Sequence, residues 1–101
     1  MKLTTAAILK KFEKSRTGGQ EILVKYFDPC GRYTLYVTEA EKCGDDWRLY
    51  GYCVSPLGPD CDEYGYIMLS ELQSVRNRFG LGIERDLHFS GTLPQVLKEV
   101  A

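Results

Sequence analysis

"EILVKYFDPCGRYTLYVTE", residues 21–39, decides the fold class. Side chains on an extended chain alternate between two faces, so Ile22, Val24 and Tyr26 share one side and Leu23, Lys25 and Phe27 the other. Asp28-Pro29-Cys30-Gly31 has turn chemistry: Pro29 presets its φ, and Gly31 is free to take a positive one. The alternation then resumes, with Tyr33, Leu35 and Val37 on one side and Thr34, Tyr36 and Thr38 on the other. Two period-two runs around a short turn predict a β-hairpin, and strands joined in this way build an antiparallel sheet.

Working outward, "WRLYGYCV" (47–54) reads as a third strand, with Gly51 marking a bulge or a close approach. "YGYIML" (64–69) reads as a short fourth. "AEKCGDD" (40–46) is expected as a polar connection, and "SPLGPDCDE" (55–63) as a loop. Before the hairpin, Thr4 or Thr5 can cap a helix whose apolar stripe is Ala6, Leu9 and Phe12 with Ile8 beside them. After the fourth strand, Ser70-x-x-Gln73 fits a capping box. It opens a helix with Leu72, Val75 and Phe79 facing the core, Arg76 and Arg78 in the last turn and Gly80 as its C-terminal cap. A fifth strand is expected over 85–89. A last helix, opened by Thr92-x-x-Gln95, carries Leu93, Val96, Leu97 and Val100 on one stripe. The expected fold is α+β: a single antiparallel sheet of four to five strands with three helices, in the order α-β-β-β-β-α-β-α. Residues 1–101 are expected to form a single domain, with the helices on one face and a tyrosine-rich face left partly open.

The bulk chemistry excludes several function classes. Thirteen basic and fourteen acidic residues nearly cancel to a net charge of −1, so there is no strong field to gather nucleic acid or an anionic membrane. The weaker nucleic-acid option would use Lys10, Lys11, Lys14, Arg16 and the Arg76 to Arg78 turn. No apolar run approaches the ~20 residues of a spanning helix, and the N-terminus lacks signal-peptide character, which points to the cytoplasm. Cys30, Cys43, Cys53 and Cys61 form no Cys-x2-Cys pair, so reduced thiols are expected and no metal. Asp60, Asp62 and Glu63 lack the full pattern of a calcium loop and read as a solvated acidic loop. No phosphate-binding, dinucleotide or zinc-protease motif is present, and no cofactor is expected.

Two features remain. Tyr26, Tyr33, Tyr36, Tyr50, Tyr52, Tyr64 and Tyr66 all fall in predicted strands. Tyrosine suits half-buried sheet packing and suits interfaces equally well. Tyr36, Tyr50 and Tyr52, with Glu84 and Asp86, are the expected protein-binding residues. In Glu84-Arg85-Asp86, Arg85 has the parity of Ile83 and should point to the core side, where it needs a carboxylate. Glu71 or Glu39 is the expected partner in a structural ion pair.

Several blocks of this sequence resemble a family known as domain of unknown function 2958. They are "VKYFDP" (24–29), "YTLYVTE" (33–39), "YGYIMLSELQSVR" (64–76) and "FGLGIERDLHF" (79–89). The opening "MKLT" is similar to the family's helix entry, and the likeness covers nearly the whole chain. The chain departs from the family in having Gly82 where proline is usual, Tyr33 and Leu35 where tryptophans are usual, and its four cysteines. The resemblance implies a compact domain from bacteria, phages or plasmids, and it supplies no catalytic residue. By analogy with small proteins of mobile elements, it implies a non-enzymatic binding module. Its expected role is to inhibit a host nuclease or defence complex, as anti-CRISPR and antirestriction proteins do. The alternative is a small hydrolase-like enzyme using Glu84, Asp86 and His88, which would require a pocket where those groups converge.

Overall fold

In the computed structural model the hairpin lies at the heart of the sheet. The structure describes residues 3–16, 18–86, 89 and 91–100. The elements are α1 (Ala6–Lys14), β1 (Val24–Phe27), β2 (Thr34–Cys43), β3 (Asp46–Val54), a 3-10 turn (Pro59–Cys61), β4 (Glu63–Met68), α2 (Leu69–Ser74), β5 (Glu84–Arg85) and α3 (Leu93–Val100). Every strand pairing is antiparallel, and the five strands run β4-β3-β2-β1-β5 across the sheet. Fold class and element order are those expected from the sequence.

The β2–β3 hairpin is longer than its polar composition suggested. Residues 40–46, expected as a connection, are mostly strand and close through Gly44-Asp45. Gly44 has φ +63°, the conformation such a tight turn needs at that point. The register shifts between Val37 and Glu39, so Thr38 is the extra residue of a bulge. Gly51 sits opposite Val37 there, as its place in the strand predicted. A Cβ at Gly51 would fall 1.9 Å from the Tyr36 carbonyl oxygen, so only glycine fits.

One face of the sheet is covered by α1 and α2. Thr5 caps α1 by accepting the Ile8 N–H at 3.3 Å. Ile8 and Phe12 are buried and Leu9 partly so, while Ala6 is exposed. They pack with Val24, Tyr26, Leu35, Val37, Trp47, Leu49, Leu69, Leu72 and Ile83. The Phe12 and Trp47 rings lie 5.4 Å apart, and the buried Tyr26 hydroxyl donates to the Leu3 carbonyl at 2.6 Å. At the end of α1, the Ser15 hydroxyl donates to the Ala40 carbonyl and accepts the Ala40 N–H, tying the helix to β2.

Four sequence expectations are corrected. First, the helices do not all lie on one face: α3 packs Leu93 and Val96 against Ile22, Tyr36 and Val54 on the opposite side. Second, Ile22 does not share a side with Val24 and Tyr26. It precedes β1, gives its N–H to the Gly91 carbonyl and turns toward α3. Third, α2 ends at Ser74, and Val75 and Phe79 are exposed. Its N-cap is Met68 rather than Ser70, with the Glu71 carboxylate accepting the Met68 N–H at 3.2 Å. Fourth, the short fifth strand covers Glu84–Arg85, and residues 87 and 88 of its expected span lie outside the described residues. The start of α3 does follow its signature, since the Gln95 side chain accepts the Thr92 N–H at 2.9 Å.

Candidate functional site

β3 and β4 direct Arg48, Tyr50, Tyr52, Tyr64 and Tyr66 to the face opposite α1 and α2. The register sets Tyr50 beside Tyr66 and Tyr52 beside Tyr64. Their rings form one cluster: Tyr50 and Tyr66 have centroids 4.7 Å apart, Tyr52 and Tyr64 meet edge-on at 5.3 Å, and Tyr50 and Tyr64 stack at 6.1 Å. The Arg48 guanidinium lies 4.9 Å from the Tyr66 centroid and pairs with Glu41 at 2.7 Å. Tyr64 is 45% and Tyr66 66% exposed, although both sit on a hydrogen-bonded sheet. Rings held this way offer apolar area and polar tips with little conformational entropy left to lose on binding. Burial, then the nearby Asp62 carboxylate, hold the Tyr52 phenol above its ordinary pKa, so it stays a neutral hydrogen-bonding group. Beside the cluster lies a cleft of about 280 Å³ lined by Arg16, Glu39, Glu41, Arg48, Tyr50 and Tyr66.

The expected binding residues divide. Tyr50 and Tyr52 belong to the exposed cluster. Tyr36 does not: it is 8% exposed, packed against Phe89 with ring centroids 5.6 Å apart and against the α3 cluster. Its parity was read correctly; what covers it is α3, which the strand pattern does not reveal. Glu84 and Asp86 lie at the other edge of the sheet, on and just after β5. Asp86 pairs with Lys25 at 3.7 Å, and Lys25 also lies over the Tyr36 and Phe89 rings. Glu84 borders a groove of about 1190 Å³ between the start of α1 and the 80–84 segment. Asp86 lines a separate cleft with Lys11 and Leu23, and His88 lies outside the described residues. Tyr64, Tyr66 and Arg48 belong to the site although they are not among the binding residues expected from the sequence. The signal was present in the spacing of Tyr64 and Tyr66, which places both on one face of a strand.

Arg85 stands opposite Tyr26 in the sheet and so faces the core side, as its parity predicted, but it is half-buried, not buried. Glu39 accepts the Gly18 N–H at 3.2 Å, and Glu71 caps α2. Among the described residues, Asp62 is a carboxylate held in an ion pair with little exposure. It takes a two-pronged contact from Arg32 at 2.7 and 2.9 Å and the Ser55 N–H at 2.7 Å, with its side chain 5% exposed. Arg32 also donates to the Ser55 carbonyl. This joins the β1–β2 turn to the β3–β4 loop and corrects the reading of Asp62 as part of a solvated acidic loop. The Arg32 contact, with help from Ser55, holds the Asp62 carboxyl below its ordinary pKa.

The cysteines do not share a place. Cys43 ends β2 at the Gly44-Asp45 turn, whereas Cys30 and Cys61 are exposed at the other end of the sheet. Cys53 is half-buried, and burial pushes its thiol pKa up. Among the described residues no group of three metal-ligating side chains is placed to hold an ion, and no helix is long and apolar enough to cross a membrane. No curated protein and no solved structure matches the chain. A family model described as "Protein of unknown function (DUF2958)" matches residues 3–97, nearly the whole chain, and the protein belongs to that family.

Proposed function

We propose that this protein is a binding module whose working surface is the tyrosine cluster of β3 and β4. The observation that carries this reading is the exposure of Tyr64 and Tyr66 on a hydrogen-bonded sheet, next to Arg48 and the mixed-charge cleft. Tyrosine and arginine dominate the energetic centres of protein interfaces. The partner is a protein, and the class suggested by analogy with small proteins of mobile elements is a host nuclease or defence complex that the module inhibits. The test is capture of partners on immobilised wild type and on Tyr64→Ala/Tyr66→Ala, with affinity measured for the partner recovered. The double variant should bind at least ~30-fold more weakly, given about 1 kcal/mol or more per central aromatic residue. It should melt close to wild type, because both rings lie at the exposed surface of the sheet and outside the buried core. Equal binding by the double variant would place the working surface elsewhere.

A further inference from the structure

Gly65 lies in the middle of β4, where glycine weakens a strand. Among the described residues there is no steric reason for it. A Cβ at Gly65 would meet no atom within 4 Å, and Gly65 is not among the glycines with positive φ. Gly51, its partner in register, has an internal reason in the Tyr36 carbonyl. A strand glycine without one often marks a place where a ligand or another backbone approaches closely.

β4 is the outermost strand, and the phase of the ladder shows what it presents. Successive residues of an antiparallel strand direct their N–H and C=O alternately to one neighbour and the other. Ala40 directs both groups to the Ser15 hydroxyl, so its pair with Leu49 is not a hydrogen-bonded one, and Leu49 turns toward Ile67. Ile67, Gly65 and Glu63 therefore bond to β3, while Tyr64, Tyr66 and Met68 point outward. The Met68 N–H agrees with this phase, since it goes to the Glu71 carboxylate. Tyr64 and Tyr66 thus present N–H and C=O groups along the open edge.

We propose that this edge pairs with the same edge of a second copy, antiparallel about a twofold axis through Gly65. In that register Tyr64 of one copy lies opposite Tyr66 of the other. Both such pairs exchange main-chain hydrogen bonds, and the tyrosine clusters of the two copies fuse on one face through aromatic cross-strand pairs. Gly65 meets itself at the axis in the close, non-hydrogen-bonded pair, with no side chains to crowd one another on the face opposite the tyrosines. Glu63, the one charged residue of β4, falls opposite Ile67, so no like charges meet. The strand carries no lysine or proline of the kind that guards an open edge. An unrelated strand could satisfy the hydrogen bonds, but the match of tyrosine to tyrosine about a central glycine is a property of this edge with itself.

A contact confined to one short edge strand belongs with the small, weak class of interfaces, and the expected Kd is on the order of 100 µM. Sedimentation equilibrium on the chain alone, from about 10 µM to about 1 mM, should show the mass rising from 11.5 kDa toward twice that value. Hydrogen exchange on the wild type at the two ends of that range should show the Tyr64 and Tyr66 amides gaining protection with concentration. Tyr64→Glu/Tyr66→Glu should stay monomeric, because the register sets acid against acid. Tyr64→Glu/Tyr66→Arg should recover dimerisation to within about tenfold of wild type, because it sets acid against base. A chain that stays monomeric throughout, or that dimerises unchanged as the double glutamate variant, overturns the pairing. Concentration-dependent protection that spares Tyr64 and Tyr66 overturns it even if a charge variant fails to fold. No partner protein is needed, so this result is independent of the partner reading above.

Discussion

Gly51 and Gly65 face each other across β3 and β4, and they hold their places for different reasons. At Gly51 a methyl group would collide with the Tyr36 carbonyl at the bulge. Gly51→Ala must move main chain at the centre of the sheet and should cost about 3 kcal/mol or more. At Gly65 the same change meets open space. Gly65→Ala in dilute solution should be neutral or stabilising by up to about 1 kcal/mol, since it restricts the unfolded chain. Urea midpoints of the two variants check this, and equal losses at the two positions would refute the steric account of Gly51. The special role of Gly51 was legible in the sequence as a glycine inside an alternating run. That of Gly65 was not, because it shows only when the neighbouring space is known to be empty. Arg85 is intermediate: its parity gave its face, but β5 is a two-residue edge strand, and an edge does not bury a side chain as a central strand does.

At the scale of elements, the sequence went furthest astray in α2. Leu72, Val75 and Phe79 are spaced as a helical stripe, yet the helix stops after Ser74. Asn77 supplies the physical reason. Its side-chain oxygen accepts the Phe79 N–H at 2.9 Å and the Leu81 N–H at 3.1 Å, and its amide donates to Asp28 at 3.0 Å. Its own N–H goes to the Leu81 carbonyl. A short polar side chain that bonds to nearby main chain in this way competes with the helix for the same groups. Apolar spacing cannot show that competition, because it turns on a partner 49 residues away. Asn77→Ala should lower stability by about 1–2 kcal/mol and speed amide exchange at Phe79 and Leu81, leaving β2 and β3 protected. Unchanged exchange at those two amides would show that the loop is held by something other than Asn77. The tyrosine surface has the same history. Strand parity placed Tyr36 on its face, and the docking of α3 decided that Tyr36 would be core while Tyr64 and Tyr66 stay at the surface.

Across the whole molecule, the long-range ties are carried by aspartates on one side of the pH scale and tyrosines on the other. Asp28 is held below its ordinary pKa by the Asn77 amide and then the Cys30 N–H. The Ser70 hydroxyl and then the Trp47 N–H do the same for Asp46, and Arg32 does it for Asp62. The Asn77–Asp28, Ser70–Asp46 and Arg32–Asp62 contacts each join segments distant in sequence. A carboxyl depressed in the folded state contributes stability that is fully present above its unfolded pKa of about 4 and is lost as pH falls through the folded value. Tyrosines act in the opposite direction. Burial pushes the Tyr33 phenol up to about 12, and it raises Tyr26 as well, against the smaller opposing effect of Arg85. A phenol raised in the folded state leaves stability intact below its unfolded pKa of about 10 and removes it as pH climbs toward the folded value. The urea midpoint should therefore be nearly flat from about pH 5 to 9 and fall on both sides. Asp62→Asn should lower the plateau, because Arg32 loses its charged partner, and should make the acid limb shallower. Tyr33→Phe should remove part of the alkaline limb and leave the acid limb unchanged. An acid limb as steep in Asp62→Asn as in the wild type would show that the Arg32–Asp62 tie does not set the acid limit of the fold.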